Sequence, residues 1–281
     1  MLAIIGGTGI YNIEGIKTIK KIAIDTPFGK PSSSIIKANY KDKTILFLPR
    51  HGENHQYLPH EINYQANIFA LKKLGAKQIL GFSAAGSLRE NIHPGDFVVP
   101  AQYIDFLKSN RKRTFFGDGI AAHISTAIPT CENITSWAKD KAQTMNIKLH
   151  TNKTYVCVDG PRLGTKAESN FFRSIGCDVV GMSNVPEVYL AREAQICYAT
   201  ICIITDYDCW MEDEKYHVSV KDVISRYGES INKAKKLLLA LLETDIAKID
   251  EDYRKSLTDA ILTPYEYLTK DKKDLLAVLT K

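Results

Sequence analysis

The stretch YATICIITDYDCW, residues 198–210, runs from Tyr198 to Ile204 without a charged side chain and then places two carboxylates, Asp206 and Asp208, two positions apart. An unbroken run rich in β-branched residues reads as a strand buried on both faces, as in a parallel sheet covered by helices. Similar runs occur at 2–5, 44–48, 78–82, 96–99, 154–158 and 178–181. Helical periodicity lies between several of them, at 63–74 and 187–194. The alternation predicts an α/β fold: a single domain with a central, mostly parallel mixed β-sheet flanked by helices. Residues 219–242 and 253–279, dense in Lys, Leu and Ala, read as C-terminal helices, and 106–129 is the most irregular region. On a strand, residues two apart share a face, so Asp206 and Asp208 should stand side by side, and one of two such acids should hold a proton unusually well.

The chain has 281 residues, 44% of them hydrophobic and 25% charged, which is the composition of a folded globular protein. Its net charge of +5 comes from 37 basic residues dispersed among 32 acidic ones. Only Lys108–Arg113 forms a basic cluster, and it lacks interleaved aromatic residues, so no nucleic-acid partner is expected. The first strand begins at the N-terminus, so no secretory leader is expected; no apolar stretch is long enough to span a membrane, and none of the six cysteines has C-x-x-C spacing. A reducing, cytoplasmic location with cysteines as small core residues is the expectation.

Open α/β sheets bind ligands outside the carboxyl ends of their strands, and several loops there carry suitable chemistry. Gly6-Gly7-Thr8-Gly9 follows the first run; it is either a plain glycine turn or a loop that brings N–H groups and the Thr8 hydroxyl to an anion, and it lacks the third glycine of a dinucleotide fingerprint. Arg50-His51 closes the second run, where a guanidinium fork suits phosphate. Ser83-Ala84-Ala85-Gly86-Ser87 is small and hydroxyl-rich, which fits either ligand room or close packing. Met182-Ser183 precedes a helix, with Ser183 either an anion ligand or a simple cap.

Taken together, GGTG, DTPFGKPS (25–32), RHG (50–52), NYQAN (63–67), GSLRE (86–90), PGDFV (94–98), GPR (160–162), MSNVPEV (182–188) and TDYDCW resemble the methylthioadenosine phosphorylase family, in the trimeric branch of the purine nucleoside phosphorylase superfamily. The resemblance runs from about residue 4 to about 239. It implies phosphorolysis of S-methyl-5′-thioadenosine to adenine and 5-methylthioribose 1-phosphate, a salvage reaction using inorganic phosphate as co-substrate and no metal or other cofactor. Thr8, Arg50, His51, Ser83 and Ser183 would hold phosphate, the last in place of the family's usual threonine. Ala84 and Met182 would line the nucleoside, and His55, His123 and Val223 the 5′-methylthio pocket, with His123 lent by a neighbour in a homotrimer.

The same resemblance sets Asp206 and Asp208 against N7 and the 6-amino group of adenine, where a protonated carboxyl donates as the glycosidic bond breaks. Asp206 is expected to read the base and Asp208 to raise its neighbour's proton affinity. Relatives acting on 6-oxopurines tend to carry Asn at the first acid, so Asp206 favours a 6-aminopurine. Leu163 stands where family members commonly have a phenylalanine that stacks on the base. Residues 1–245 would form the catalytic domain and 246–281 a helical extension packed on it. A broader purine nucleoside or methylthioinosine phosphorylase is the near alternative. A metal-dependent glycosyltransferase using Asp206-Tyr-Asp208 as its clamp, or a non-catalytic nucleoside sensor, are the distant ones.

Overall fold

The structure, a computed structural model, describes residues 1–7, 9, 10, 13–211 and 220–281; the side chains of 220–227 lie outside that description. Strand β1 (Leu2–Gly6) is wholly buried and pairs in parallel with β4 (Lys43–Pro49) and β5 (Gln78–Ser87). β4 continues through antiparallel pairings to β3 (Ile35–Tyr40) and β2 (Lys17–Ile22) at the edge.

On its other side the sheet closes on itself. β5 pairs in parallel with β9 (Cys197–Asp206) and, at its end, antiparallel with β8 (Val179–Gly181). β8 pairs with β7 (Leu149–Cys157), β7 with β6 (Phe97–Asp105), and β6 returns antiparallel to β9. The sheet is therefore mixed: β4, β1, β5 and β9 run parallel, β6, β7 and β8 run parallel, and the two groups meet antiparallel at β5–β8 and β6–β9. Every run expected to be a strand is one. β2, KTIKKI, had no apolar pattern to reveal it: it is an edge strand, exposed along nearly its whole length, and lysines suit an edge because they discourage pairing with another chain.

Helices cover both faces. α1 (Tyr64–Lys73) and α4 (Asn184–Glu193) pack together on one side, and α2 (Glu132–Thr144) packs with α5 (Val220–Leu242) on the other. α3 (Lys166–Ser174) opens with a capping box in which Thr165 and Glu168 satisfy each other's backbone N–H groups. The asparagines of NYQAN are fasteners: Asn63 caps α1 and donates to Phe28 O, while Asn67 bonds the backbone and hydroxyl of Ser32.

The C-terminal stretch departs from the single helix expected at 253–279. It forms α6 (Glu251–Arg254), a 3₁₀ turn at Tyr265–Tyr267 and α7 (Lys270–Leu279). Pro264 sits between them, and a proline cannot continue a helix because it lacks the N–H. The segment is nonetheless tied to the domain: Tyr253 is buried in the core on one face of the sheet, and Leu257, Leu268, Leu275, Leu276 and Leu279 in that on the other. It also pairs with the irregular loop, through Ala122 opposite Ile261 and Leu262 N–H donating to Ala121 O. Among the described residues no helix is long and apolar enough to cross a membrane.

Candidate functional site

The first cluster gathers at the ends of β4 and β5 and at the start of α4. Arg50 follows β4 directly and its N–H donates to Gly6 O, which brings it beside the glycine turn after β1. Its side chain and that of Glu187 are each 1% exposed. Nε donates to Glu187 Oε2 at 2.7 Å, Nη2 to Oε1 at 2.8 Å, and Nη1 to Phe82 O at 2.7 Å. Tyr198 OH, also buried, donates to the same Oε1 at 2.8 Å. Burial opposes the charge on Arg50, but the carboxylate more than offsets it and holds the guanidinium's pKa above its ordinary value. Of its five N–H groups, one on Nη1 and one on Nη2 have no partner among the described residues.

His51 has its Nδ1 2.9 Å from Tyr57 O and its ring stacked on His55 at 4.5 Å. Burial pushes its pKa down to about 4, helped by the charge of Arg50. The ring is then neutral at ordinary pH with its proton on Nδ1, so Nε2 presents a lone pair, suited to a P–OH or a sugar hydroxyl. Ser83, on β5, lies opposite Cys202 of β9 and reaches its thiol at 3.5 Å. Ser183 is the residue before α4, yet its hydroxyl makes no cap bond, so the simple capping reading does not hold.

The second cluster stands at the end of β9. Asp206 is the last residue of that strand and pairs with Gly86 across it. Asp208 is not on the strand: its φ is +52°, and its N–H turns back to Asp206 Oδ1 at 2.7 Å. The two acids are neighbours through this turn rather than through the period of a strand. The Thr205 hydroxyl donates to Asp206 Oδ2 at 2.6 Å. A Cβ on Gly86 would stand 3.0 Å from Asp206 Oδ1 and 3.3 Å from Asp208 Cβ, so a larger residue would press on both acids. Tyr207 and Trp210 are buried in a small core with Leu88, Val156, Phe172 and Cys177, and Trp210 Nε1 donates to Ser87 O at 2.7 Å. That core anchors the segment.

Burial, followed by the charge of Asp206, raises the pKa of Asp208 above the usual carboxylate range. Asp208 is thus the acid whose proton burial favours, while Asp206 accepts from the Thr205 hydroxyl and the Asp208 N–H. Leu163 is 67% exposed, and a Cβ on the next residue, Gly164, would lie 3.8 Å from Asp208 Oδ2, which puts this loop at the acid end. Met182 packs against Gly160, whose φ of +66° and lack of a Cβ make that contact possible.

Arg111 joins these loops. It is buried, and it donates from Nη1 to Met182 O at 2.7 Å and Val185 O at 3.0 Å and from Nη2 to Asp159 O at 2.9 Å. The basic cluster at 108–113 is thus partly internal scaffolding: Arg113 in turn bonds Asp105 at 2.6 Å. Asp159 receives the N–H groups of Lys108 and Ser109 and the Ser109 hydroxyl.

Ala84 lies between the clusters, opposite Ile203 of β9. His55 joins the Arg50 cluster through its stack on His51. His123 is exposed on the irregular loop, its N–H donating to Ala260 O of the C-terminal stretch. Thr8 and the side chain of Val223 fall outside the described residues. Sequence reasoning did not single out Glu187, Tyr198 or Arg111. The only signal available was that an Arg at a strand end needs a counter-charge if it is buried. Among the described residues no group of three or more His, Cys, Asp or Glu is placed to hold a metal ion.

Residues 1–243 match the profile of the phosphorylase superfamily. The S-methyl-5′-thioadenosine phosphorylase of Nitrosopumilus maritimus is 46% identical over 242 residues, covering 86% of this chain and 90% of the relative. That of Saccharolobus solfataricus is 45% identical over 243 residues, covering 86% and 88%. A methylthioadenosine phosphorylase crystal structure from an antarctic soil metagenomic library superposes with a TM-score of 0.92 at 38% identity, covering 99% of this chain and 98% of the other. A point variant of adenosine/methylthioadenosine phosphorylase from Schistosoma mansoni, in complex with methylthioadenosine, gives 0.85 at 34% identity over 93% and 98%. With a buried Arg–carboxylate pair at one strand end and a paired acid at another, on a frame shared almost end to end with these proteins, the chain belongs to the phosphorylase superfamily and, within it, to the S-methyl-5′-thioadenosine phosphorylase family.

Proposed function

We propose that the protein phosphorolyses S-methyl-5′-thioadenosine, releasing adenine and 5-methylthioribose 1-phosphate. The observation that carries this reading is the acid pair at the end of β9, in which Asp208 is held ready to keep a proton by burial and by Asp206. Such a carboxyl can give its proton to N7 of the departing purine, while Asp206 accepts from the 6-amino group. Phosphate would lie at Arg50, His51, Ser83 and Ser183, with Thr8 completing the cradle, and its oxygen would form the new bond to C1′ as the bond to the purine nitrogen breaks. The electron pair of that bond leaves with the base, and the phosphate's charge stabilises the cation-like sugar in between. Ala84, Leu163 and Met182 would line the nucleoside, and the chemistry asks nothing of a metal or organic cofactor.

The 5′ pocket would be formed by His55 and Val223 with His123 of a neighbouring copy, in a homotrimer in which residues 1–245 are catalytic and 246–281 brace the loop that carries His123. A cytoplasmic salvage enzyme is the setting this chemistry fits. The test is to incubate the protein with methylthioadenosine, adenosine, inosine and methylthioinosine, with and without phosphate and with a metal chelator. Phosphate-dependent release of adenine from methylthioadenosine, insensitive to chelation, is expected. Free methylthioribose formed equally fast without phosphate defeats the reading, and loss of activity on chelation revives the metal-clamp alternative. Light scattering tests the trimer, which a fully active monomer rules out.

A further inference from the structure

A bidentate carboxylate occupies one edge of Arg50, the residue best equipped to bind the phosphate. A lone guanidinium would attract phosphate more strongly, so the presence of Glu187 requires a reason. Its two bonds use Nε and Nη2, and Phe82 O takes one N–H of Nη1. What remains is one N–H on each terminal nitrogen, in a plane that cannot rotate. The carboxylate is itself held by Tyr198 OH from β9, and it lies on α4 just past the non-helical Val185 that separates it from Ser183. One side chain therefore ties the Arg50 fork to the strand and to the helix that bear other parts of the site.

The charges point the same way. Arg50 and Glu187 cancel, Ser83 and Ser183 are neutral, and the His51 ring is neutral above about pH 4. Among the described residues these side chains offer hydrogen-bond partners with almost no net charge of their own, and the buried Arg111 guanidinium close by gives its N–H groups to the carbonyls of Met182, Val185 and Asp159. A phosphate bound there keeps its own negative charge largely uncompensated, directed at the carbon that becomes cationic. An unpaired Arg50 would instead bind the phosphate ground state tightly and draw that charge off, which favours binding over rate. Resting on the phosphorolysis reading above, we infer that Glu187 is a positioning residue that fixes the Arg50 fork and neutralises it, so that the bound phosphate's charge serves the transition state.

The test compares wild type, Glu187→Gln and Tyr198→Phe in the full chain, varying phosphate at saturating nucleoside, with melting temperatures alongside. For Glu187→Gln, kcat should fall roughly 10- to 100-fold while the phosphate KM stays within about threefold of wild type or falls. A residue that merely props up the fold would act through melting temperature and phosphate KM. A loss carried mainly by phosphate KM, or kcat unchanged within about twofold, overturns the inference. Should the Gln variant fail to fold, Tyr198→Phe keeps the ion pair and the ring; it should lower kcat by about three- to tenfold at unchanged phosphate KM and melting temperature, and an unchanged kcat overturns the inference. If wild type itself shows no phosphate dependence, the phosphorolysis reading falls first. Phosphate-dependent wild type with insensitive variants removes only the role of Glu187.

Discussion

Arg50, buried, and Asp208, half-buried, are both ionisable groups beside a carboxylate, and the two ends of the site use that arrangement in opposite senses. At Arg50 the neighbour, Glu187, has the opposite charge and locks the ionised form. At Asp208 the neighbour, Asp206, has the same charge and favours the protonated form. The phosphate end is electrostatically settled, whereas the base end retains a conflict that a proton relieves. The difference fits the proposed chemistry, in which one end holds an anion still and the other gives up a proton when the bond breaks.

The comparison is broken most severely at its settled end. Arg50→Met would leave the Glu187 carboxylate buried without its partner, which typically costs about 3–5 kcal/mol of stability. Losing the fork should also lower phosphorolysis by more than ~10³-fold. Thermal unfolding and kcat/KM measure the two effects. A variant that melts like wild type would show that the pair is not a buried ion pair in solution.

At the base end, Asp208→Asn removes the titrating acid but keeps the shape, and adenine nucleosides should lose about 2.7–4 kcal/mol of transition-state stabilisation. Inosine-type substrates should lose less. Asp206→Asn removes the charge that raises the Asp208 pKa, so activity, which falls as pH rises through that pKa, should fall at lower pH than in wild type. Equal losses on both bases, with an unmoved alkaline limb, would show that the acids do not read the purine.

How much of this was legible in the sequence differs between the same two ends. Apolar runs marked each buried strand, and the residues at their ends were visible as candidates because α/β sheets bind ligands there. TDYDCW announced a like-charge pair. It did not announce that Asp208 leaves the strand through a left-handed turn, because an aspartate tolerates that conformation without a glycine to signal it. Glu187 was hidden for another reason: it meets Arg50 across 137 residues, and no local period encodes such a pairing. Arg111 was disguised by its neighbours, since a run of Lys and Arg reads as solvated surface until the carbonyls of Asp159, Met182 and Val185 are seen to surround it.

Glu193 sharpens the comparison as a third buried carboxylate with neither an opposite nor a like charge bonded to it. It accepts from the Thr114 hydroxyl at 2.6 Å and Phe115 N–H at 2.7 Å, and burial pushes its pKa up to about 7 in spite of them. The folded state thus keeps a proton that the unfolded chain releases near its ordinary value of 4.5. This group's contribution to stability is complete below that value and is lost as pH rises to about 7, by on the order of 3 kcal/mol. Denaturant unfolding of wild type and Glu193→Gln across pH 4–8 should show that fall in wild type and its absence in the variant. Parallel pH profiles would mean that Glu193 is ionised throughout.

The smallest expected effect lies at Leu163, beside the acids. An exposed leucine offers the purine one apolar face and no ring, whereas an aromatic side chain would add an offset stack worth about 0.5–1.5 kcal/mol beyond area burial. Leu163→Phe should therefore lower KM for adenine nucleosides roughly two- to tenfold. Because a stacked base is held as well before bond cleavage as during it, kcat should hardly change. Phosphate KM should also stay where it is, since the substitution lies at the base end and the cradle does not feel it. The contrast between the two ends is what the measurement tests. A change in phosphate KM on Leu163→Phe would mean that the base loop and the Arg50 cradle move together, as Arg111, bonded to both Asp159 and Met182, would allow. An unchanged nucleoside KM would mean that the base does not stack on this loop at all.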